Sequence, residues 1–199
     1  TLRGNPTIEN CDFRDNHAAR SGGAILTYIN GGDPTGPTIR SCDFTGNSAN
    51  EDGGAVFNSS CNPTIASCVF RGNRSAGSGG AIADRYAVSR ITDCAFEDNV
   101  AGGDGGAIRH QFRGLTVERC VFRGNSGMQG GGALHSVGED FNPVTSTITD
   151  CTFEGNAAVG AGGGALFNGV FSTGNVQGCT FRANRTNQQG GAIQSDQGS

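Results

Sequence analysis

Three residues whose side chains could together form an activated nucleophile are equally spaced along the chain. Asp84, His110 and Ser136 are each separated by 26 residues, and each lies three positions after the alanine of a Gly-Gly-Ala triplet. In that order they are the side chains that a hydrolase uses to activate a serine hydroxyl. A triad needs side chains that converge rather than stack, and nothing in the sequence marks an oxyanion hole. We therefore interpret the three residues as part of a polar outward or turn column, and we predict no catalytic residue.

Carboxylates offer a second possible chemistry, because most glycosidases act through a pair of them. The acidic candidates do not all fall at one position of the repeat described below, so the sequence predicts no paired-carboxylate site. Cysteine and histidine spacings typical of zinc sites and Gly-Gly-x-Gly-x-Asp calcium loops do not occur, so no metal or other cofactor is predicted. The acidic candidates are Asp52, Asp104, Glu139 and Asp140.

These residues belong to a segment that recurs seven times. In each copy a phenylalanine stands two residues after a cysteine, an asparagine five residues after it, and a Gly-Gly-Ala begins eleven or twelve residues after it. The cysteines are Cys11, Cys42, Cys68, Cys94, Cys120, Cys151 and Cys179. The phenylalanines are Phe13, Phe44, Phe70, Phe96, Phe122, Phe153 and Phe181. The asparagines are Asn16, Asn47, Asn73, Asn99, Asn125, Asn156 and Asn184. A period this regular is typical of a solenoid.

The local pattern predicts strands rather than helices. Glycine interrupts every helical window, whereas short alternating runs such as Cys-x-Phe fit strands of four to six residues. Three strands in each turn of ~26 residues, stacked ~4.8 Å apart, make an all-β parallel β-helix of about seven coils. Equivalent residues then form ladders, with cysteine and phenylalanine inside and asparagine amides bonded between coils at a turn. The longer intervals carry the segments 31–36 and 137–143, which we interpret as surface loops.

Seven of the eight cysteines fall in one interior ladder of this fold. Buried free cysteine behaves as a small hydrophobic residue, and we interpret the ladder in this way. Disulfides between neighbouring coils stay an alternative, because a Cα separation of ~4.8 Å is permitted. Cys61 lies outside the ladder, just before Pro63. We predict that Cys61 is the more reactive or cross-linking thiol, or that it bonds to a neighbouring coil.

The composition of the chain argues against two functional classes, nucleic-acid-binding proteins and membrane-spanning proteins. The chain has 199 residues, 35 of them glycine, a formal net charge of −4, and arginine as its only basic residue apart from histidine. Its basic residues form no cluster of the kind that binds nucleic acid, and no apolar run approaches the length of a transmembrane segment. The repeat leaves no linker, so residues 1–199 are predicted to form a single β-solenoid domain. Because the sequence begins without methionine, we expect this domain to be a segment or repeating unit of a longer array.

Two motifs carry a family resemblance that covers nearly the whole chain. Phe-x-x-Asn and Gly-Gly-Ala followed by Ile, Leu or Val resemble the repeats of bacterial polymorphic outer-membrane proteins. The Pro-Thr-Ile-x-x-Cys segments at Pro6, Pro37 and Pro63 resemble large secreted right-handed β-helix proteins of the pectin-lyase-like class. The resemblance implies a right-handed parallel β-helix. It also implies a surface or secreted protein, often adhesive, located outside the cell.

Two functional hypotheses follow from these observations. The first is a non-catalytic, extracellular structural or adhesive solenoid that has a cell-surface or polysaccharide ligand. The alternative is a carbohydrate-active enzyme, a polysaccharide lyase or hydrolase, on the same scaffold. If Ser199 of one copy is joined to Thr1 of another, the next Cys11 lies 18 positions after Ala192, the same interval as in the two longest coils. The sequence therefore predicts head-to-tail self-association into a filament.

Overall fold

The chain forms a parallel β-solenoid of seven coils. The computed structural model describes residues 5–28, 35–139, 144–160 and 162–196. Each coil contributes one strand to each of four parallel sheets of seven strands, and no described residue is helical. We number the sheets 1 to 4 in the order in which the chain enters them. The prediction of three strands per coil is wrong, because the short segment after each asparagine pairs as a separate strand of two residues.

Sheets 1 and 2 begin each coil. The strands of sheet 1 are Thr7–Glu9, Thr38–Arg40, Thr64–Ala66, Ser89–Thr92, Leu115–Glu118, Val144–Thr149 and Ser172–Gln177. The strands of sheet 2 are Asp12–Arg14, Asp43–Thr45, Val69–Arg71, Ala95–Glu97, Val121–Arg123, Thr152–Glu154 and Thr180–Arg182.

Sheets 3 and 4 complete each coil. The strands of sheet 3 are His17–Ala18, Ser48–Ala49, Arg74–Ser75, Val100–Ala101, Ser126–Gly127, Ala157–Ala158 and Arg185–Thr186. The strands of sheet 4 are Ile25–Tyr28, Val56–Ser59, Ile82–Arg85, Ile108–Gln111, Leu134–Val137, Leu166–Asn168 and Ile193–Ser195.

The phenylalanines of sheet 2 form one continuous stack inside the solenoid. Neighbouring ring centroids lie 4.7–4.9 Å apart, and the ring planes differ by 2–4°. The five central rings are fully buried, whereas Phe13 and Phe181 are only half-buried because each has a ring on one side alone. The expectation that all seven are buried is therefore wrong for these two outermost rings.

The asparagines make a second ladder at the turn between sheets 2 and 3. The Asn73 side-chain amide donates to Asn99 Oδ1 at 2.9 Å and to the carbonyl oxygen of Phe44 at 2.9 Å. Its backbone N–H also donates to Asn99 Oδ1, at 3.0 Å. Each buried amide thus ties three coils together through groups that would otherwise lack partners.

Two separate constraints explain the Gly-Gly pairs. Gly79 has a φ of +66°, in the left-handed region that favours glycine. Gly80 lies so close to the next coil that a Cβ atom would stand 2.1 Å from the carbonyl oxygen of Gly106. The pair therefore makes the turn from sheet 3 into sheet 4 while the coils stay in contact.

The phenylalanine stack generates a stability prediction. We expect Phe96→Ala to lower the free energy of unfolding by about 3–5 kcal/mol, because it leaves a cavity between two fully buried rings. Urea unfolding monitored by circular dichroism measures the change. Phe13→Ala is the matched control and should cost clearly less, because Phe13 is half-buried and stacks on one ring only. Equal losses at both positions would contradict an in-register stack.

Candidate functional site

The column that contains Asp84, His110 and Ser136 points into the solenoid. All three side chains are at most 2% exposed, and their equivalents Thr27 and Asn58 are also fully buried. The interpretation of this column as outward-facing or turn residues is therefore wrong. The sequence does contain an indication of the inward orientation. Each residue of the column stands two positions after an inward-facing Ile, Val or Leu, and residues two apart in a strand lie on the same face.

The three residues do not form a catalytic triad. Asp84 Oδ1 accepts a hydrogen bond of 2.8 Å from the Asn58 amide, and Asp84 Oδ2 lies 3.6 Å from His110 Nδ1. Neither ring nitrogen of His110 has a hydrogen-bond partner, and the Ser136 hydroxyl is bonded to Ser146 at 2.6 Å. Stacking therefore places the three residues in adjacent coils without connecting the histidine to the serine or opening either to a substrate.

A second group of polar residues lies on the outer face of sheet 4. Asp104, just before a Gly-Gly pair, places Oδ2 3.3 Å from His135 Nδ1 and 3.8 Å from Arg109 Nε. The imidazole of His135 stacks on Phe167 with centroids 4.7 Å apart, and its side chain is only 7% exposed. Arg109 and His135 directly precede His110 and Ser136 in the sequence, but no sequence pattern indicates that Asp104 contacts them.

Burial and charge perturb this outer cluster. Burial alone would raise the pKa of Asp104, but His135, Arg109 and the backbone N–H of Gly130 together hold that pKa below its usual value. Burial lowers the pKa of His135, and the charge of Asp104 offsets that effect only in part. The neutral imidazole is therefore favoured. Both ring nitrogens of His135 are buried, and neither has a hydrogen-bond partner among the described residues.

Asp52 and Asp104 share one column of the solenoid, two coils apart. Asp52 Oδ1 accepts a hydrogen bond of 2.7 Å from the N–H of Ser78, whose hydroxyl accepts one of 3.1 Å from the N–H of Asp104. Asp104 Oδ1 in turn accepts a bond of 3.0 Å from the N–H of Gly130. At ~4.8 Å per coil, the two carboxylates are roughly 10 Å apart.

The other two acidic candidates lie elsewhere. Glu139 Oε1 accepts a hydrogen bond of 3.4 Å from the Tyr86 hydroxyl, and Glu139 is exposed. Asp140 is outside the described residues, as are most of the predicted surface loops 31–36 and 137–143.

A groove of about 520 Å³ runs along the same side of the solenoid, beside the first three coils. Half-buried Leu26 and Phe57 and exposed Tyr28 and Arg85 belong to its lining. The complete lining is Arg20, Ser21, Leu26, Tyr28, Glu51, Asp52, Phe57 and Arg85. Aromatic and aliphatic surface next to both signs of charge is suited to a ligand with apolar faces and polar edges.

All eight cysteines are free thiols in the structure. In the interior ladder, the Cys94 thiol donates to the carbonyl oxygen of Thr92 at 3.1 Å and accepts from the N–H of Cys68 at 3.4 Å. Cys11, at the first coil, is exposed. Cys61 is fully buried, and burial, together with the charge of Asp84, raises its pKa to about 12. The prediction of a reactive Cys61 is therefore wrong, because reactivity requires an accessible thiolate.

Metal-binding and membrane-spanning features were also sought within the described ranges. There, no three His, Cys, Asp or Glu side chains are arranged to hold a metal ion. The same part of the chain has no helix that is long and apolar enough to cross a membrane.

Comparison with known proteins gives one match. A family model described as "Right handed beta helix region" matches residues 2–186. No curated protein and no solved structure matches the chain significantly.

The outer cluster generates a pH prediction. The pKa of His135 in the folded protein lies below its value near 6.5 in the unfolded chain. At any pH between these two pKa values, the unfolded chain therefore binds more protons than the folded protein. The stability that His135 contributes is thus complete above about pH 6.5 and declines as the pH falls toward the folded pKa. We expect the wild-type urea midpoint to fall more between pH 7.5 and pH 5 than that of His135→Phe, which keeps an aromatic ring on Phe167.

The control for this comparison is His17→Gln, since His17 is exposed and outside the cluster. Its pH profile should parallel that of the wild type. Parallel profiles for the wild type and His135→Phe would show that the imidazole is not desolvated as described.

Proposed function

The chain belongs to the right-handed β-helix family, and from that premise we propose that it is a non-catalytic structural or adhesive solenoid. The match confirms the fold predicted from the repeat, including its handedness. Enzymes and structural proteins both use such scaffolds, so the choice between them depends on the residues. We further propose that the protein acts outside the cell, as a secreted or surface-attached molecule.

The main observation in favour of this proposal is that the column of potentially catalytic residues is buried. Asp84, His110 and Ser136 have the right types for hydrolysis, but none of the three side chains is accessible to a substrate. Main-chain hydrogen bonding and side-chain ladders instead run through all seven coils. Most of the residues that repeat in the sequence therefore stabilise the solenoid itself.

The groove beside the first three coils supports an adhesive role. Phe57 and Tyr28 offer rings on which a sugar can stack, and Arg20 and Glu51 offer hydrogen-bonding groups at its edge. Arg20 Nε and Glu51 Oε1 are 3.3 Å apart, so a positive and a negative group lie side by side at this edge. A cell-surface polysaccharide has the alternation of apolar faces and hydroxyls that such a groove accepts.

Head-to-tail association is the assembly that we propose for the solenoid. The stack continues in register to Phe13 in the first coil and Phe181 in the last, and both rings remain half-buried. Another coil placed on either ring, from a second copy or from further chain, would bury it. A contact of this kind does not close on itself and produces a filament.

A carbohydrate-active enzyme is the second candidate, and one specific observation favours it. Asp52 and Asp104 share a column about 10 Å apart, near the separation at which one carboxylate can act as acid and another as base across a glycosidic bond. Arg109, 3.8 Å from Asp104, feels the charges of both carboxylates. Asp104 is held in its ionised form, as a general base requires.

Binding and cleavage assays separate the two candidates. We expect the wild type to bind immobilised cell-surface polysaccharides without releasing reducing ends. Phe57→Ala should weaken binding at least tenfold, whereas Ser136→Ala, which changes only the interior, should bind like the wild type. Release of reducing ends that Asp104→Asn abolishes would establish the enzyme instead. Loss of binding in Ser136→Ala, with the fold intact, would contradict the assignment of this column to the core.

Electron microscopy of the purified protein tests the assembly separately. Filaments that grow with concentration, built from units about 34 Å long, are expected for seven coils at ~4.8 Å each. Monomers at every concentration would rule out head-to-tail association of this chain while leaving the adhesive groove to be judged by the binding assay.

A further inference from the structure

The polar interior column faces the next strands of sheet 1 across a corner of the core. Ser136, in sheet 4, bonds across this corner to Ser146, in sheet 1, with 2.6 Å between the hydroxyl oxygens. Asp84 precedes Ser136 by two coils in its ladder, and Ser89 precedes Ser146 by two coils in the other ladder. The register therefore places Ser89 opposite Asp84. We name this corner, lined by the two ladders from Asn58 to Asn168, the corner seam.

Small residues line most of the sheet 1 side of the seam. The sheet 1 ladder runs from Ser89 through Leu115 and Ser146 to Gly174, so only one of four coils carries a bulky side chain there. At Gly174 a Cβ atom would stand 2.2 Å from Nδ2 of Asn168, so the amide already occupies the space of a side chain. Beside Asp84 the ladder carries serine, whereas the next coil carries the larger leucine.

The seam is also where unpartnered buried polar atoms concentrate. They include both acceptors and groups able to donate. They are Asn58 Oδ1, Asp84 Oδ2, Ser89 Oγ, His110 Nδ1, His110 Nε2 and Asn168 Oδ1. The first five lie together around the consecutive ladder positions of Asn58, Asp84 and His110. Buried polar groups nearly always have partners, so this group of five atoms needs a ligand that can both donate and accept.

We propose that the corner seam binds ordered water between Asp84 and Ser89, as part of the core of the folded protein. Water satisfies donors and acceptors together, and a buried water typically bonds to about three such groups. A metal ion fits this lining less well, because Asp84 is its only carboxylate and the imidazole of His110 lies beside it. The water would bond to Asp84 Oδ2 and Ser89 Oγ, which otherwise have no partner.

Filling the seam tests the proposal. Ser89→Leu copies the leucine found one coil later and would displace the water beside Asp84. We expect its urea midpoint to fall below that of the wild type, because Asp84 Oδ2 would lose the water and stay buried. Ser89→Ala is the matched control; it preserves the space and should change the midpoint less. A higher midpoint for Ser89→Leu would show that the leucine fills a dry void and would overturn the proposal.

A second measurement on the unmodified protein decides the matter even if Ser89→Leu does not fold. Nuclear Overhauser transfer from water to the backbone amide protons of Asp84 and His110 is expected, with the sign of long-lived bound water. Absence of transfer at both amides would overturn the proposal. A midpoint that rises specifically with sodium or potassium chloride, and not with choline chloride, would also overturn it by identifying a cation in the seam.

Discussion

Main-chain hydrogen bonding from one coil to the next is the constraint on which the rest of this structure depends. It sets an axial repeat near 4.8 Å, so that each side chain lies directly on its equivalent in the neighbouring coil. A position can then hold only a residue that tolerates a copy of itself as its nearest neighbour. Phenylalanine satisfies this condition by stacking, asparagine by bonding to the next asparagine, and glycine by leaving room for a carbonyl oxygen.

The same constraint decides where chemistry can arise. Within one column, neighbours are parallel, so Asp84 and His110 remain 3.6 Å apart and His110 makes no bond to Ser136. Convergence requires side chains from different columns, such as Asp104 from a turn and His135 from sheet 4. The outer face of sheet 4, where turns and strands meet, is therefore the part of the solenoid in which unlike groups approach one another.

The repeat made the ladders predictable, because residues at equal positions in successive coils must stack once the coil is parallel. The two-residue strands of sheet 3 could not be predicted in this way, since they are too short to show alternation. The inward direction of Asp84 could have been found from its spacing to Ile82, but its charge made the outer surface the expected place. The contact of Asp104 with His135 depends on the path of a turn, which spacing along the chain does not encode.

Removal of a single coil tests in-register stacking most directly. Deleting residues 69–94 joins Cys68 to Ala95 and removes one full period of 26 residues, so every ladder stays in register. Deleting residues 70–94 instead removes one residue fewer and turns part of the strand to the opposite face. The account predicts that the first variant unfolds cooperatively in urea with a β-sheet circular dichroism spectrum, and that the second does not. Equal stability of the two variants, or failure of the first to fold while the second folds, would contradict it.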